Sequence, residues 1–303
     1  MSNDVKHNFL AEIAKRYGSL RKLDRSLSLY ELGKGDVRIY IRYSKVHRGN
    51  RAWYGLRNED LKNLEGHQSL ICFLWEGQSE PLFVPYSQYE EVFHSISPSG
   101  DGQYKSLIYL GDKGVELYIN NAGRFKVESN LGWHNLDTFL DAAKYINIPT
   151  LSHSQVQTLL GSIGAKKNHD IWIPIIDRFN LDWQLASKFQ ICNNIPFGFE
   201  RIGHVLSEVD VLWINKSSNK LIELFEVEHS TPVYSGLLRL NDIHLTPMQN
   251  RPMFSIVANE SRRSIFTKQI NRPTFISSGL NEICSFLDYK DVYIWHDRLR
   301  DKV

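Results

Sequence analysis

The sequence has few cysteines, little net charge and no long apolar run. The three cysteines, Cys72, Cys192 and Cys284, are scattered and lie among apolar residues. This pattern argues against a disulfide framework and a zinc site and favours a reducing, cytoplasmic compartment. The longest apolar run is far short of the roughly 18 residues that a membrane span needs. The first residues have no basic segment followed by an apolar one, so we expect no secretory signal.

A net charge of only +2 gives the chain no global field for nucleic acid, so any such contact has to be local. What the sequence does contain is enough apolar and aromatic side chains, 42% and 12% of its residues, for packed cores throughout. Its 303 residues allow two domains of ordinary size. Pro149 marks the boundary that we expect, which gives an N-terminal domain over residues 1–148 and a C-terminal domain over residues 149–303.

The N-terminal domain is predicted to be β-rich α+β. Apolar residues at helical spacing open the chain, and residues 87–94 and 136–145 are also predicted to be helical. Asn58 is placed to cap a short helix that has the acidic Glu59 and Asp60 in its first turn. Short apolar runs between turn residues predict about seven strands, over residues 37–43, 52–56, 69–75, 82–84, 107–110, 115–119 and 125–127.

One stretch of this domain is basic. From Arg38 to Arg57 the sequence has six Arg or Lys residues and no acid, and aromatic residues are interleaved with them. Arg and Lys can hold phosphates, and Arg and Asn at a loop tip can read guanine and adenine edges. A solvated hairpin tip explains the same pattern equally well. The candidate DNA contacts in this stretch are Arg42, Lys45, His47, Arg48, Asn50 and Arg51.

The C-terminal domain is predicted to be α/β with a mixed central sheet. Ser152 or Ser154 can cap its first helix, which carries Val156 and Leu160 at helical spacing. A strand over residues 170–176 precedes a hairpin over residues 208–228. The patterns that follow predict a helix over 232–240, a strand over 253–258, a helix over 261–270, an extended piece over 273–276 and a helix over 280–286.

The hairpin carries carboxylates among apolar residues. Asp210 lies in its first apolar run, and Glu226 and Glu228 lie in its second. Acidic residues are poor strand formers and are costly to bury, so a bound cation is the usual reason for such a pattern. Residues at i and i+2 of a strand point to one face, so Glu226 and Glu228 converge, and Asp210 on the neighbouring strand can join them. Such hard oxygen donors suit Mg²⁺ with a substrate phosphate.

The alternative for these acids is a solvated edge strand on which they face water. We favour that explanation for Glu208. For Asp210, Glu226 and Glu228 we favour the metal site, because the pairs Glu208/Asp210 and Glu226/Glu228 fall in neighbouring apolar strands, where acids are disfavoured.

Asp210, followed after about sixteen residues by Glu226-Val227-Glu228, resembles an ExE variant of the motif of the PD-(D/E)XK nuclease superfamily. A preceding helix and a helix that begins just after the motif extend the resemblance to roughly residues 150–285. It implies a nuclease core in which Asp210, Glu226 and the Val227 carbonyl bind Mg²⁺. Glu228 stands where the family usually has Lys, and it would orient the attacking water or hold a second metal.

The function that the resemblance implies is that of a type II restriction endonuclease, which hydrolyses phosphodiester bonds in double-stranded DNA with Mg²⁺. Cleavage of both strands needs two active sites, so a homodimer is expected, and the host needs a cognate DNA methyltransferase. Some restriction enzymes attach a B3-like pseudo-barrel for recognition, which the N-terminal domain resembles in outline. Two alternatives stay open: a repair or transposon nuclease of the same superfamily, and a non-catalytic DNA-binding protein on a nuclease-like fold.

Residues just after the motif allow two explanations. Ser230, Thr231 and Tyr234 can touch the scissile phosphate. Alternatively, Ser230 or Thr231 caps a helix that has Pro232 at its first position. Arg239 can contact phosphate or pair on the surface.

Residues farther from the motif are weaker candidates. Gln157, on the helix before the sheet, is a minor candidate for the metal side, because that helix supplies such a residue in some relatives. Asp177 and Arg178 fit a turn pair. A late basic cluster fits either a solvated helix face or a DNA flank; its members are Arg262, Arg263, Lys268 and Arg272.

Overall fold

The computed structural model describes residues 2–23, 26–32, 37–111, 114–145, 147–195, 198–248 and 251–300, with the backbone alone at residues 2–4, 143–145 and 300. The chain divides into two compact units, residues 1–147 and 148–303. The helices in the described ranges include no candidate for a membrane span.

Among its described residues, unit 1 has four α-helices and ten strands. In chain order they are α1 (Ser2–Tyr17), β1 (Leu20–Lys22), β2 (Leu29–Leu32), β3 (Val37–Ser44), β4 (Val46–His47), β5 (Arg51–Arg57), α2 (Asn58–Lys62), β6 (Ser69–Trp75), β7 (Leu82–Pro85), α3 (Glu90–Ser95), β8 (Gln103–Gly111), β9 (Gly114–Ile119), β10 (Gly123–Lys126) and α4 (Trp133–Tyr145).

The strands of unit 1 form two sheets, of order β1-β2-β3-β6-β7 and β10-β9-β8-β5-β4. Alternate residues of β3 face two cores, because successive side chains of a strand point to opposite faces. Ile39 packs with Phe9 and Ile13 of α1, whereas Tyr40 packs with Tyr54 of the second sheet. Helices therefore cover one side of the first sheet, and the second sheet covers the other.

Two details of unit 1 differ from the prediction. The described residues contain ten strands and not seven, because β1, β2 and β4 are too short to give a periodic pattern. Asn58 begins α2 instead of capping it: Arg57 is the N-cap and makes no side-chain capping bond.

Unit 2 has six α-helices and five strands among its described residues. They are α5 (His153–Lys166), β11 (His169–Trp172), α6 (Gly203–Leu206), β12 (Val211–Asn215), β13 (Leu221–Val227), α7 (Val233–Leu245), β14 (Met253–Ala258), α8 (Arg263–Ile270), α9 (Pro273–Ser278), β15 (Cys284–Asp288) and α10 (Tyr289–Arg300).

The five strands of unit 2 form one mixed sheet in sequence order. The strands β11, β12 and β13 are antiparallel neighbours, and β13, β14 and β15 are parallel. One face packs against α5 and α10 through residues such as Trp213 and Phe225. The other face packs against α7, α8 and α9 through residues such as Leu212 and Leu224. The predicted α/β class with a mixed sheet is confirmed for this unit.

Two segments of unit 2 that contain a proline were predicted wrongly. Strand β11 ends at Trp172 and not at residue 176, because Pro174 has no N–H for the ladder, and Ile175 and Ile176 lie exposed instead. Residues 273–278 form a helix and not an extended piece, because Pro273 at the first helical position presets the helical φ.

The predicted helix over residues 280–286 is largely the strand β15. This strand pairs in parallel with β14 and buries apolar residues on both faces, among them Phe286 and Leu287. A short apolar run of this kind has no alternation that separates a strand from a helix. The terminal helix α10, which covers one face of the sheet, was not predicted.

Candidate active site

The predicted hairpin is present, and its register brings two of the carboxylates opposite each other. Val211 pairs with Phe225 across the antiparallel strands β12 and β13, so Asp210, one residue before β12, faces Glu226. Glu228 follows β13 directly, and its N–H donates to the Val257 carbonyl at 2.8 Å. The three predicted acids therefore lie at one end of the two strands.

Asp210 is held on both of its carboxylate oxygens. The backbone N–H of Val227 donates to Oδ2 at 2.7 Å, and Gln157 Nε2 donates to Oδ1 at 3.3 Å. His153 Nε2 also lies 3.3 Å from Oδ1, so the remaining lone pair is on Oδ2, since a carboxylate offers about four acceptor sites. The side chain is thus fixed in direction and can still accept a ligand.

Glu226 is a buried acid that is only half satisfied. The residue is 1% exposed, and its Oε2 accepts from Arg239 Nη1. Its Oε1 has no hydrogen-bond partner among the described residues. Burial raises the pKa of Glu226 well above its usual range, and the nearby Asp210 charge adds to the rise, although Arg239 opposes it. An unpaired buried carboxylate oxygen costs free energy unless a cation or water meets it.

Glu228 is anchored to the start of α7. The Thr231 hydroxyl donates to its Oε2, and the backbone N–H of Gly236 also donates to its carboxylate. Burial raises the pKa of Glu228 above its usual value, although both donors oppose the rise. A carboxylate at a helix N-terminus satisfies N–H groups that otherwise lack partners. The same contacts fix the orientation of the carboxylate.

Helix α7 begins differently from the expectation. Its N-cap is Pro232, without a side-chain capping bond, and Val233 is its first residue. Neither Ser230 nor Thr231 caps it, because the Thr231 hydroxyl is directed to Glu228. The absence of a side chain at Gly236 allows this packing, since a Cβ there would lie 2.5 Å from Glu228 Oε1 and 3.2 Å from Glu226 Cβ.

Helix α5 contributes polar residues to the same strand end. Ser152 and Gln155 form the capping box that starts this helix. His153, the first residue of the helix, has its Nε2 at 3.3 Å from Asp210 Oδ1, and Gln157, one turn later, is buried beside it. Gln157, a minor candidate from the sequence, thus contacts Asp210 directly. His153 was not predicted as a site residue. Their i, i+4 spacing on one helix face was the available indication.

Asp177 was predicted as half of a turn pair, yet it faces the same centre. Its Oδ2 accepts from Gln157 Nε2 at 3.1 Å. One ligand atom each of His153, Asp177 and Asp210 lies within 4.8 Å of the others. Nothing in the sequence around Asp177 indicates this contact, because the loop that carries it is placed by the packing of unit 2. Its neighbour Arg178 bonds the Ile173 and Cys192 carbonyls and has a structural role.

The charge of His153 follows from these neighbours. Burial disfavours the imidazolium, but the hydrogen bond to Asp210 and the charges of Asp210 and Asp177 raise the pKa of His153 above its usual value. A hydrogen bond to the backbone of Val227 acts in the same direction. The ring therefore lies beside two of the predicted metal ligands, Asp210 and Val227.

These donors fit a divalent cation. Asp210 and Glu226 supply hard carboxylate oxygens, and the unpartnered buried Glu226 Oε1 supplies an acceptor with unused capacity. Carboxylate, carbonyl and water oxygens are the ligands that Mg²⁺ prefers. In the absence of an ion, Arg239 supplies the positive charge at Glu226.

The remaining predicted contacts near the hairpin lie on or close to the surface. Ser230 and Thr231 are exposed. Tyr234 is partly buried, with its ring 5.7 Å from that of Phe275 and the Arg272 guanidinium 4.4 Å from its centroid. Arg239 pairs with the buried Glu226, and more loosely with the exposed Glu208 at 3.4 Å.

The late basic cluster is divided between two roles. Arg262 donates to the His229 carbonyl at 2.7 Å and to the Thr231 carbonyl, so it braces the loop after the motif. Arg263 pairs with Glu260 at 2.6 Å and lies 4.5 Å from the centroid of the buried Phe286 ring, so it also has a packing role. Lys268 and Arg272 lie on exposed parts of the same region.

In unit 1 the predicted DNA contacts lie in or next to β4, β5 and the turn between them, except for Arg42, which lies on β3 of the first sheet. Lys45, His47, Arg48 and Asn50 are exposed. The two others, Arg42 and Arg51, are partly buried. The first cation of the basic stretch, Arg38, is instead buried and bonds Glu31 at 3.2 Å.

This turn continues into one face of the second sheet, here called the polar face. Among the described strand residues it carries five Arg or Lys and a single carboxylate, with three large aromatic rings between them. Arg51 lies 5.5 Å from the ring of Trp53, and Arg124 lies 4.1 Å from that of Tyr109. The polar face comprises Arg51, Trp53, Arg57, Lys105, Tyr109, Glu116, Tyr118, Arg124 and Lys126.

Comparison with known proteins identifies the class as that of the restriction endonucleases, enzymes that act on DNA and generally use a divalent metal ion. A model of the family described as the type II restriction enzyme NmeDI C-terminal domain matches residues 140–296. The match covers more than half of the chain and includes the hairpin, and the chain belongs to this family. Neither the search of curated proteins nor that of solved structures finds a match.

Proposed function

We propose that this restriction endonuclease hydrolyses double-stranded DNA with Mg²⁺ at the end of strands β12 and β13, on a core of the PD-(D/E)XK type with an ExE motif. One observation carries the proposal. Glu226 is buried with an unpartnered oxygen, opposite Asp210 in the register of the hairpin. Two such acids are costly to hold together unless a cation joins them.

Each residue of the motif has a distinct part. Asp210, Glu226 and the Val227 carbonyl would hold the ion, which polarises the scissile phosphate when bound. Glu228 would hold a water or a second ion, and its two donors, Thr231 and the Gly236 N–H, keep its carboxylate in one orientation. Where the superfamily usually has Lys, an oriented acceptor is therefore available instead.

Arg239 has a place in this scheme besides the DNA contact first considered. Its guanidinium holds the Glu226 carboxylate in place before the ion arrives and opposes the rise in the pKa of Glu226, so the site is preformed. When an ion takes over the charge of Glu226, Arg239 is free to contact a phosphate oxygen nearby.

Unit 1 is proposed to recognise the DNA sequence. The exposed residues Lys45, His47, Arg48 and Asn50 suit phosphates and base edges. The polar face adds cations next to exposed rings, Trp53 being 47% exposed, and five cations against one carboxylate match the charge of a DNA backbone. The B3-like fold stays a hypothesis for this unit.

The family favours restriction over the repair, transposon and non-catalytic alternatives. A homodimer is proposed because each chain offers one hairpin site and a double-strand break needs two. A methyltransferase of the same specificity is proposed as the companion that protects the host DNA, without a stable complex.

Cleavage of unmethylated phage DNA with Mg²⁺ tests the proposal. The wild type should give discrete fragments whose mapped ends share one sequence, and Glu226→Ala should give none. Glu200→Gln, an exposed acid of the same unit, is the matched control and should cut like the wild type.

Two results would refute the proposal. If the protein bound DNA without metal and never cut it, this site would not be a catalytic site. Full cutting by Asp210→Ala would show that the reaction takes place elsewhere in the chain.

A further inference from the structure

The residues on the α5 side of Asp210 have a composition different from that of the ExE motif. Asp210 Oδ1 lies 3.3 Å from His153 Nε2 and 3.3 Å from Gln157 Nε2. Asp177 reaches the same Gln157 nitrogen at 3.1 Å. Two carboxylates, one imidazole and one amide thus meet beside Asp210, and three of these four side chains lie outside the motif.

We infer that His153, Asp177 and Asp210 form a binding site for a divalent transition-metal ion, separate from the Mg²⁺ site at Asp210 and Glu226. The three ligand atoms lie within 4.8 Å of one another. Three ligands at about 2.1 Å from one ion lie at most about 3.6 Å from one another when they are evenly spaced. His153 Nε2 and Asp210 Oδ1 already lie within that distance, at 3.3 Å, so the Asp177 carboxylate has to move in by at most about 1.2 Å.

Gln157 supplies an independent reason for a ligand at this point. The residue is 1% exposed, and its amide nitrogen bridges the carboxylates of Asp177 and Asp210. Its Oε1 is buried without a partner in the described part of the chain. A half-turn of the amide exchanges these two atoms, so Oε1 would replace the N–H group beside the carboxylates and become a fourth donor to the ion.

The chemistry of the donors selects the kind of ion. An imidazole nitrogen suits late first-row ions such as Ni²⁺ and Zn²⁺, the two carboxylates also suit Mn²⁺, and Mg²⁺ favours oxygen donors alone. Affinity for first-row divalent ions rises from Mn²⁺ through Co²⁺. The site should therefore bind Mn²⁺ or Co²⁺ in the presence of excess Mg²⁺, while the Glu226 side of Asp210 remains available to Mg²⁺.

The test measures metal binding by the full-length protein without DNA. Mn²⁺ is added with excess Mg²⁺, and pulsed electron paramagnetic resonance records the nuclear coupling to the bound ion. A ¹⁴N coupling is expected, and it should become a ¹⁵N coupling in protein labelled with ¹⁵N-histidine. Because labelling leaves the fold unchanged, this arm does not depend on whether a variant folds.

Variants then assign the nitrogen. His153→Ala should remove the coupling, and Asp177→Asn should weaken Mn²⁺ binding by about tenfold or more. The matched control is His204→Ala, an exposed histidine of the same unit, which should retain the coupling. Glu226→Gln should also retain it, because Glu226 is not a ligand of this site.

Three outcomes would overturn the inference: no nitrogen coupling in the wild type, a coupling that survives His153→Ala, or a coupling that Glu226→Gln removes. The last result would mean that a single site serves both sets of residues. The inference does not rest on cleavage. A protein that binds Mn²⁺ through His153 and never cuts DNA would refute the proposed function alone, and one that cuts without nitrogen coupling would refute this site alone.

Discussion

The two units place their charges in opposite ways. In unit 2 the carboxylates of the candidate site are few, buried or partly buried and close together, with Glu226 1% and Glu228 3% exposed. In unit 1 the cations of the polar face are more numerous, spread over three strands and partly or fully exposed. A buried charge interacts strongly with a single ion because the surroundings have a low dielectric constant, whereas surface charges are screened and act by their number.

This difference separates chemistry from recognition. A few buried acids are expected to govern the rate of cleavage and part of the stability of unit 2. Many exposed cations are expected to govern DNA affinity and its salt dependence, each by a small amount. The following predictions examine this division, in order of decreasing expected effect.

Asp210→Asn should remove cleavage and spare binding. The loss of a metal ligand removes several kcal/mol of transition-state stabilisation, which corresponds to about 10³-fold in rate. DNA affinity in EDTA, measured by fluorescence anisotropy, should change less than about threefold, because the cations of unit 1 are untouched. A loss of DNA affinity of similar size would show that DNA binding and cleavage are not divided between the two units.

Arg239→Met should destabilise unit 2, because it leaves Glu226 buried without its cation. Breaking such a pair costs about 3 kcal/mol, measured by urea unfolding at pH 8 in EDTA. Arg239→Lys keeps the charge and should lose about half as much. At pH 5 the loss should shrink, since Glu226 then takes up a proton; equal losses at both pH values would contradict the assigned pair.

The double variant Arg51→Ala, Trp53→Ala should weaken DNA binding. The loss of one phosphate contact and one exposed ring is expected to cost about 2 kcal/mol, which is roughly 30-fold in Kd. The slope of log K against log salt should fall by about 0.9 for the one Arg removed. Cleavage at saturating DNA should stay near the wild-type rate, and Lys15→Ala, on α1, is the control for affinity.

The buried acid should also make stability depend on pH. Between the usual pKa of Glu near 4.3 and the raised pKa of Glu226, the folded state keeps a proton that the unfolded chain has lost. The free energy of unfolding should therefore fall as pH rises through this window, by up to about 1.4 kcal/mol per pH unit. Glu226→Gln should flatten the curve measured by denaturation in EDTA; an unchanged slope would assign the effect to another group.

Ser152→Ala should give the smallest effect. It removes the capping box of α5, which costs about 1 kcal/mol in urea unfolding. Because α5 carries His153 and Gln157, Mn²⁺ binding should weaken together with the stability of the helix. Ser154→Ala, at the second position of α5, is the control and should change neither by more than about 0.5 kcal/mol.

The hairpin and its acids could be predicted because local rules are sufficient there. Asp210 and the ExE run stand out as acids within apolar strands, and Asn215 and its neighbours mark the turn. The helix α5 was predicted for the same reason, since Ser152 and the apolar spacing after it are local features. The family match supports the endonuclease that this motif implied.

The errors fall where non-local packing decides. Residues 280–286 gave no periodic indication of β15, because that strand is buried on both faces and its pairing partner β14 lies thirty residues earlier in the chain. Asp177 was taken for a turn residue, and its approach to Gln157 depends on where the loop after β11 comes to rest. The polar face likewise assembles Trp53, Tyr109 and Arg124 from three strands.

The sequence by itself determined the class of unit 2, the hairpin and the identity of the acids, because alternation, turn residues and a short motif are written along the chain. Only the tertiary structure decided which partners these acids have: Arg239 at Glu226, the start of α7 at Glu228, and His153 with Gln157 at Asp210. The physical reason is that hydrogen bonds and charge pairs act over a few ångströms in space. Residues 53 positions apart, such as Gln157 and Asp210, become neighbours only when the sheet and its helices pack.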